Sequence, residues 1–458
     1  MDEIDVVVAG AGAAGLAAAL AAAQNGASTL VVEPSRRYRA TCNTVQTAGM
    51  IPAPGTRWQR EAGITDDSPE RFYADIDAKT KGTTYAALAR RLAGVAGSML
   101  EWLVGTTDLE VELATDFDYP GHSRQRCHSP RDRRGGTLHT SLVNAVAKRD
   151  EVHLVTPASL EEVFVSSEGS VEGVAIRHGD QGVETVRTGR VVLASGGYAG
   201  KPELVARYAP SIAGALYFGS QWNTGDALGI VQRMGGDVGY LDAYQGYGAI
   251  STRLGIMVNW PLAMHGGVIV NQAGSRFGDE TSGYSEFAEL VEAQPGRTAW
   301  MLFDREVARR CQRFPDFREL ERTLDLNWSA DASELAEHMR VDAEALAATL
   351  EQAGLAAAGT EADRFGRRNW ERMLSFPLAA VGIRGALFHS QGGALVDGQA
   401  RLLRDGTPVP GLYAAGGAAA GISGAGPSGY MAGNGLLCAL GLGWLAGHHA
   451  SGQPVGHG

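Results

Sequence analysis

Cysteine is scarce in this chain. The four, Cys42, Cys127, Cys311 and Cys438, lie far apart and form no Cys-x-x-Cys pair. That spacing excludes a disulfide framework, a zinc knuckle and an attached haem. Proline is also sparse, at 17 residues, and there is no Gly-X-Y period, so a collagen-like structure is excluded. Positive charge is in deficit. The formal net charge is -11, which argues against a general nucleic-acid-binding surface. The one local exception is the basic stretch from Arg124 to Arg134. No apolar run reaches the ~20 residues of a membrane span. The acidic start Met1-Asp2-Glu3-Ile4 lacks the basic flank and apolar core of a signal peptide. The cytoplasm is the expected location, and neither nucleic acid nor a membrane span is expected. His448-His449 has no acids at ligand spacing, so no metal site is expected.

Glycine is what the chain has in excess. There are 62 in 458 residues, where an average share of about 7 per cent would give roughly 32. They come in bursts, which speaks against a flexible linker. Hydrophobic residues make up 44%, enough for a large core, and the length suits two or three domains or one large domain with insertions.

The first burst is the most informative. A valine-rich run, Ile4 to Ala9, reads as a buried strand. It leads into Gly10-Ala11-Gly12-Ala13-Ala14-Gly15, a complete G-x-G-x-x-G, then into an alanine-rich helix, Leu16 to Gln24, stopped by Asn25-Gly26. A second strand, Ser28 to Val32, ends in Glu33. The first glycine permits a tight turn, the second lets backbone approach a pyrophosphate, and the third lets helix and strand pack closely. Helix N–H groups and the positive dipole end then face the phosphates. Glu33 stands where a carboxylate accepts hydrogen bonds from a ribose. Strand, turn, helix, strand and acid in this order predict dinucleotide binding, with a purely structural turn as the plainer alternative.

Further along, Pro34 to Pro69 reads as loop and Thr83 to Val104 as helix. Alternation from Val152 to Arg187 suggests a meander turning at Glu168-Gly169 and Gly179 to Gly182. Val191 to Ala194 is another buried strand, closed by Ser195-Gly196-Gly197. From about Gly239 to Arg372, aromatic and charged residues rise in an apparent insertion. The glycine-rich pattern returns near Ala386. Nine glycines lie between Gly411 and Gly435, followed by an apolar helix from Gly435-Leu436. A glycine-rich backbone ending in a helix N-terminus suits a flat isoalloxazine. The expected division is a first part of a cofactor domain at 1–238, an inserted substrate domain at 239–372 and the second part of the cofactor domain at 373–458. The tail from His448 reads as frayed. The fold class is α/β, a Rossmann-like two-piece FAD-binding domain with an inserted α+β capping domain.

These residues resemble the FAD-dependent fumarate reductase and 3-ketosteroid Δ1-dehydrogenase superfamily over most of the chain. The pieces are Asp5 to Glu33, Asn43-Thr44 with Gly49, Val191 to Gly197, Asn223-Thr224-Gly225-Asp226, Val270 to Phe277 with Glu280, His389-Ser390-Gln391-Gly392-Gly393, and Gly411 to Leu437. Together the G-x-G-x-x-G reading and the resemblance give the cofactor-binding set Gly10, Gly12, Ala13, Ala14, Gly15, Glu33, Asn43, Thr44, Gly49, Ser195, Gly196, Gly197, Asn223, Asp226, Gly416, Gly417, Gly435 and Leu436. The resemblance also implies an inserted capping domain, an active site between it and the FAD domain, and hydride transfer between a substrate carbon and flavin N5. No histidine lies near Cys42-Asn43-Thr44, where covalently flavinylated relatives carry one, so FAD is expected to be non-covalent.

The departures from the family point to substrate. Fumarate reductases carry a catalytic arginine shortly after the Arg276-Phe277-x-x-Glu280 stretch, and the matching position here is Tyr284. They carry another arginine in the final glycine loop, and Gly424 to Tyr430 has none. Two clamps for a dicarboxylate are therefore missing. Glu is often found after the Ala-Gly of the last flavin strand, and here Gly417 stands there. The expected activity is desaturation of the Cα–Cβ bond of a small-molecule carbonyl compound. A cyclic ketone of ketosteroid or oxo-cyclohexane type is favoured, with a fumarate-reductase-like ene-reductase as the alternative. The electron acceptor is unknown.

Such chemistry needs a polarised carbonyl, a base for the α-proton and a hydride acceptor. Tyrosine serves as base or proton donor where its surroundings lower its pKa. The candidates are Tyr284, Tyr430, Tyr244 and Tyr247, although a packed aromatic with a satisfied hydroxyl is the commoner fate. His389 resembles a substrate-binding histidine of the family, and His265 is a weaker candidate. Gly426 and Gly429 belong to a loop that can offer backbone donors to an enolate. Arg126 and His128 resemble the family's Arg-x-His-x-Pro segment and are candidates for steering an anionic substrate, against a solvated basic loop.

Overall fold

The computed structural model describes residues 4–116, 118–324 and 326–456. The acidic start Met1–Glu3 and the last two residues of the tail lie outside the described residues. The chain forms two compact units, one of 1–209, 219–244 and 389–458, the other of 210–218 and 245–388. The strand Leu378–Ser390 is continuous, which carries the return to the first unit beyond Arg372.

The first unit is built on a six-stranded sheet. Its elements are β1 (Val6–Ala9), α1 (Ala13–Gln24), β2 (Thr29–Val32), β3 (Val152–Val155), β4 (Val191–Leu193), β5 (Arg401–Arg404), β6 (Thr407–Ala414) and α2 (Asn434–Ala450). The strand order is β5-β6-β4-β1-β2-β3. All pairs are parallel except β5 with β6. Parallel strands covered on both faces read as unbroken apolar runs, and β1 is buried at every position. Val152–Val155 belongs to this sheet rather than to the meander expected for it. The meander itself is Ser159–Val165, Val171–Arg177 and Val183–Arg187.

α1 is apolar all round and buried from Ala13 to Ala23, as expected of a helix inside a large core. Its neighbour is α2. A Cβ on Gly443 would stand 2.2 Å from the Ala14 carbonyl oxygen, and one on Gly447 2.2 Å from that of Ala18. Glycine one turn apart thus lets the two backbones touch. Through Gly456 the tail is ordered rather than frayed. α2 continues to Ala450, and Arg91 donates to the carbonyls of Val455 (2.8 Å) and Gly456 (2.7 Å). The segment expected as loop holds short helices at Tyr38–Thr41 and Arg57–Glu61, the second with a Thr56/Gln59 capping box. The long helix expected at Thr83–Val104 runs Ala86–Thr106.

The second unit centres on Leu378–Ser390, which pairs with Ala299–Asp304, Trp328–Ser329, Tyr244–Ser251 and Leu216–Tyr217, with Val268–Val270 on the outer edge. Its core is aromatic, with Tyr247, Trp260, Phe287, Phe303 and Phe317 buried. Among the described residues, five α-helices of this unit lie between Tyr284 and Ala357.

Candidate functional site

The glycine motif of the first unit forms a tight cradle. Gly10 has φ +112°, and a Cβ there would lie 2.4 Å from the Ala194 carbonyl oxygen. A Cβ on Gly15 would lie 1.8 Å from that of Gly10. Gly12 is the N-cap of α1 and has no side chain with which to cap it. Its first-turn N–H groups have no intrahelical acceptor. The Ala13 amide is taken by Thr44 Oγ1 at 3.0 Å. Glu33 is buried and accepts from the amides of Ala11 (2.9 Å) and Ser35 (2.8 Å). Burial raises its pKa and those two amides pull it back. Each carboxylate oxygen keeps a second acceptor direction, so Glu33 both ties the loop and suits a ribose.

The other cofactor candidates divide. Gly196 (φ +83°), Gly197 and Gly417 meet at the ends of β4 and β6. A Cβ on Gly196 would lie 2.1 Å from Asn223 Oδ1, and one on Gly417 2.8 Å from the Gly197 nitrogen. Gly416 packs on Ala14, and Gly49 on Pro130. Ser195 is half-buried beside them. Asn43 acts through the chain, accepting from the Ser220 amide at 2.7 Å. Asp226 is exposed and accepts from Thr224 Oγ1 at 2.9 Å at the start of its own helix. α2 begins like α1: its N-cap is a glycine, Gly433, with φ +85°. Leu436 is buried in its first turn, and fully buried Asn434 leaves Oδ1 without a partner. Two helix N-termini with glycine N-caps, a cradle that any Cβ would fill and an orphaned buried acceptor fit a dinucleotide flavin.

Around the start of α2 the structure brings several candidates together. His389 and Tyr430 meet edge to face, with ring centroids 5.9 Å apart. Burial lowers the pKa of His389 to about 4, so the ring is neutral. Its Nδ1 lies 2.8 Å from Gln391 Nε2, and Gln391 Oε1 lies 3.0 Å from Ser423 Oγ. A Cβ on Gly435 would sit 2.9 Å from the His389 ring. Burial raises the pKa of Tyr430, the Gly435 amide partly offsetting it. The lowering expected of a catalytic tyrosine base is therefore not found there. Gly426 has φ +65° and open space about it, while a Cβ on Gly429 would lie 2.0 Å from the Ser423 carbonyl oxygen.

The basic stretch corrects the sequence reading. Arg126 is fully buried, donating to Asp67 at 2.9 and 2.8 Å and to Asp75 at 2.5 Å. Burial works against its charge, but the two carboxylates outweigh it and its pKa rises. His128 is buried too, with Nε2 2.9 Å from Thr56 Oγ1, and burial lowers its pKa to about 4. Neither faces solvent as a steering group must. Three residues were not named as site residues: His122 and His139, which belong to no motif, the Nε2 of His139 lying 2.8 Å from the Ala11 carbonyl oxygen, and Gln391, read only as part of the stretch His389 to Gly393. Only the nearness of Gln391 to His389 offered a signal.

In the second unit, Arg276 and Glu280 form a buried ion pair, with Nη2 2.7 Å from Oε2, joined by Arg367 at 3.1 Å. The motif therefore braces the segment that leads to Tyr284. Tyr284 opens the helix Tyr284–Glu292. Its ring lies 5.5 Å from that of Tyr247 and 6.4 Å from that of Trp260. The Tyr247 hydroxyl donates to Val258 O at 3.1 Å and accepts from Trp260 N at 3.0 Å. Burial raises its pKa. That proton is committed to the backbone, which makes Tyr247 an anchor rather than a base. Tyr244 is buried. His265 Nδ1 lies 3.0 Å from Glu371.

A mostly parallel sheet with glycine-lined strand ends and two glycine-capped helix N-termini fits a dinucleotide-binding flavoprotein. The chain matches the family described as FAD binding domain over residues 5–436, and it belongs to that family. FAD is its cofactor; the chain is similar in sequence to fumarate reductases and shares its fold with 3-ketosteroid dehydrogenases. It is 30% identical to the NADH:fumarate oxidoreductase of Klebsiella pneumoniae, over 99% of this chain and 48% of that one. The chain thus spans about half the length of that relative. It is 27% identical to the 4-oxocyclohexanecarboxylate 2-dehydrogenase of Sinomonas cyclohexanicum, over 99% of this chain and 94% of that one. The 3-ketosteroid-Δ4-(5α)-dehydrogenase of Rhodococcus jostii, solved with 4-androstene-3,17-dione, superposes with a TM-score of 0.79 at 24% identity, covering 98% and 97% of the two chains. Among the described residues no helix is long and apolar enough to cross a membrane.

Proposed function

We propose that this protein acts on CH–CH bonds and desaturates the Cα–Cβ bond of a cyclic ketone of the oxo-cyclohexane or ketosteroid type. The observation that carries the reading is Tyr284. It stands where fumarate reductases place a catalytic arginine, and it sits among the aromatic rings of Tyr247 and Trp260. An aromatic setting suits an apolar ring and offers nothing to a dicarboxylate. The arginine-free loop Gly424 to Tyr430 supports the same substrate class. FAD, when bound, supplies the hydride acceptor.

The chain's own groups would supply the rest. Neutral His389 and protonated Tyr430 would hold the carbonyl oxygen by hydrogen bonds, which strengthen as enolate charge develops. Tyr284 would accept the α-proton. Gly426 and Gly429 would admit close approach of the substrate to backbone.

Ene reduction of an activated alkene is the alternative, favoured by the similarity to the Klebsiella protein. Anaerobic mixing of the oxidised holoprotein with 4-oxocyclohexanecarboxylate or 4-androstene-3,17-dione separates the two. Bleaching of the flavin absorption supports desaturation. If the oxidised protein is inert to ketones and only the reduced form reacts, with fumarate or another activated alkene, the proposal fails.

A further inference from the structure

Just before the basic stretch, His122 makes two polar contacts of opposite sense, beside a longer one in which Cys127 Sγ lies 3.8 Å from its Nε2 and 3.6 Å from the Ala432 carbonyl oxygen. Arg126 Nη1 lies 3.3 Å from its Nδ1, and the carbonyl oxygen of Ala432 lies 3.1 Å from its Nε2. A guanidinium can only donate and a carbonyl can only accept. The ring must therefore carry its proton on Nε2, give it to Ala432, and turn a bare Nδ1 to Arg126. Burial, reinforced by the Arg126 charge, lowers its pKa to about 4, consistent with a neutral ring. His122 also stacks on Phe72, with centroids 5.9 Å apart at 23°. Arg126 is in turn held by Asp67 and Asp75.

Ala432 lies in a decisive place. It follows Tyr430 by two residues and directly precedes Gly433, the N-cap of α2. In a planar trans peptide the Gly433 N–H points opposite to the Ala432 carbonyl. Pinning that carbonyl fixes the direction of an amide at the helix N-terminus.

We propose that His122 is a positioning residue, the last link of a chain from the Asp67/Asp75 carboxylates through Arg126 that fixes the Ala432–Gly433 peptide and so sets the start of α2 for FAD. The proposal rests on the reading of that helix start as part of the flavin site and is independent of the substrate.

Two variants of the FAD-loaded protein test it. His122→Phe keeps the ring on Phe72 and removes both polar contacts. His122→Gln restores an acceptor toward Arg126 and a donor toward Ala432. FAD affinity is read by flavin fluorescence and folding by thermal melting. His122→Phe should weaken FAD binding by ~10-fold, the scale of one lost buried hydrogen bond, and His122→Gln should stay within ~3-fold of the parent. Nitrogen-15 spectra of the parent should show His122 protonated at Nε2. FAD affinity unchanged in His122→Phe, equal weakening in both variants, or a proton on Nδ1 overturns the proposal. A parent protein that binds no FAD overturns instead the flavin reading of the helix start. Should His122→Phe not fold, the parent spectrum and His122→Gln still decide.

Discussion

His389 and Tyr430 face each other edge to face at the start of α2, their ring centroids 5.9 Å apart. Both are enclosed, the histidine held neutral and the phenol held protonated. Two uncharged groups beside a flavin-type helix N-terminus suit a neutral carbonyl oxygen better than a carboxylate. Tyr430→Phe keeps the ring packing and removes one donor. It should lower kcat/KM for the ketone by ~100-fold, the scale of one lost oxyanion donor, with little change in melting temperature. Steady-state kinetics on 4-oxocyclohexanecarboxylate checks this.

Arg126 should behave as a structural cation. Arg126→Met leaves buried Asp67 and half-buried Asp75 without their cation, and breaking such a group costs about 3–5 kcal/mol. Denaturant unfolding should show that loss. If the variant is as stable as the parent but binds anionic ligands more weakly, the steering role read from the sequence returns.

That reversal shows what a sequence can carry. The strand–glycine–helix–strand run from Val6 to Glu33 was legible because apolar periodicity, glycine placement and the terminal acid are all local. Arg126 was not, because its carboxylates come from helical and loop residues far back in the chain, and burial leaves no mark on a lone arginine. His122 carries no motif, and the contacts of His122 and Gln391 exist only through Ala432 and His389. Val152–Val155 alternates too little to be told from the meander that follows, and only the pairing with β2 assigns it.

Stability should fall on the acid side of neutrality before carboxylates titrate. His122, His128 and His389 each have a folded pKa of about 4 against an ordinary 6.5. Between those values the unfolded chain binds protons that the folded one refuses. Stability is full above pH 6.5 and declines as pH drops toward 4, by at most about 1.4 kcal/mol per pH unit for each histidine. Urea unfolding at pH 7, 6 and 5 checks the slope. A flat profile over that window would refute the buried neutral state of these rings.

Gly10→Ala should abolish FAD retention. The position has φ +112°, and its Cβ would meet the Ala194 carbonyl oxygen at 2.4 Å, so the loop must shift. Gly426→Ala meets no atom and should cost only the strain of a positive φ, about 1 kcal/mol. The flavin-to-protein absorbance ratio after gel filtration compares the two.

The proposed ketone dehydrogenation turns on Tyr284, in the place of an arginine. Single-turnover reduction of the bound flavin by 4-oxocyclohexanecarboxylate, compared between the parent and Tyr284→Phe under anaerobic conditions, tests it most directly. The account predicts rapid bleaching in the parent and a rate ~10²–10⁴-fold lower in the variant, the range for a lost general base, with the flavin still bound. Equal rates in the two proteins would contradict it.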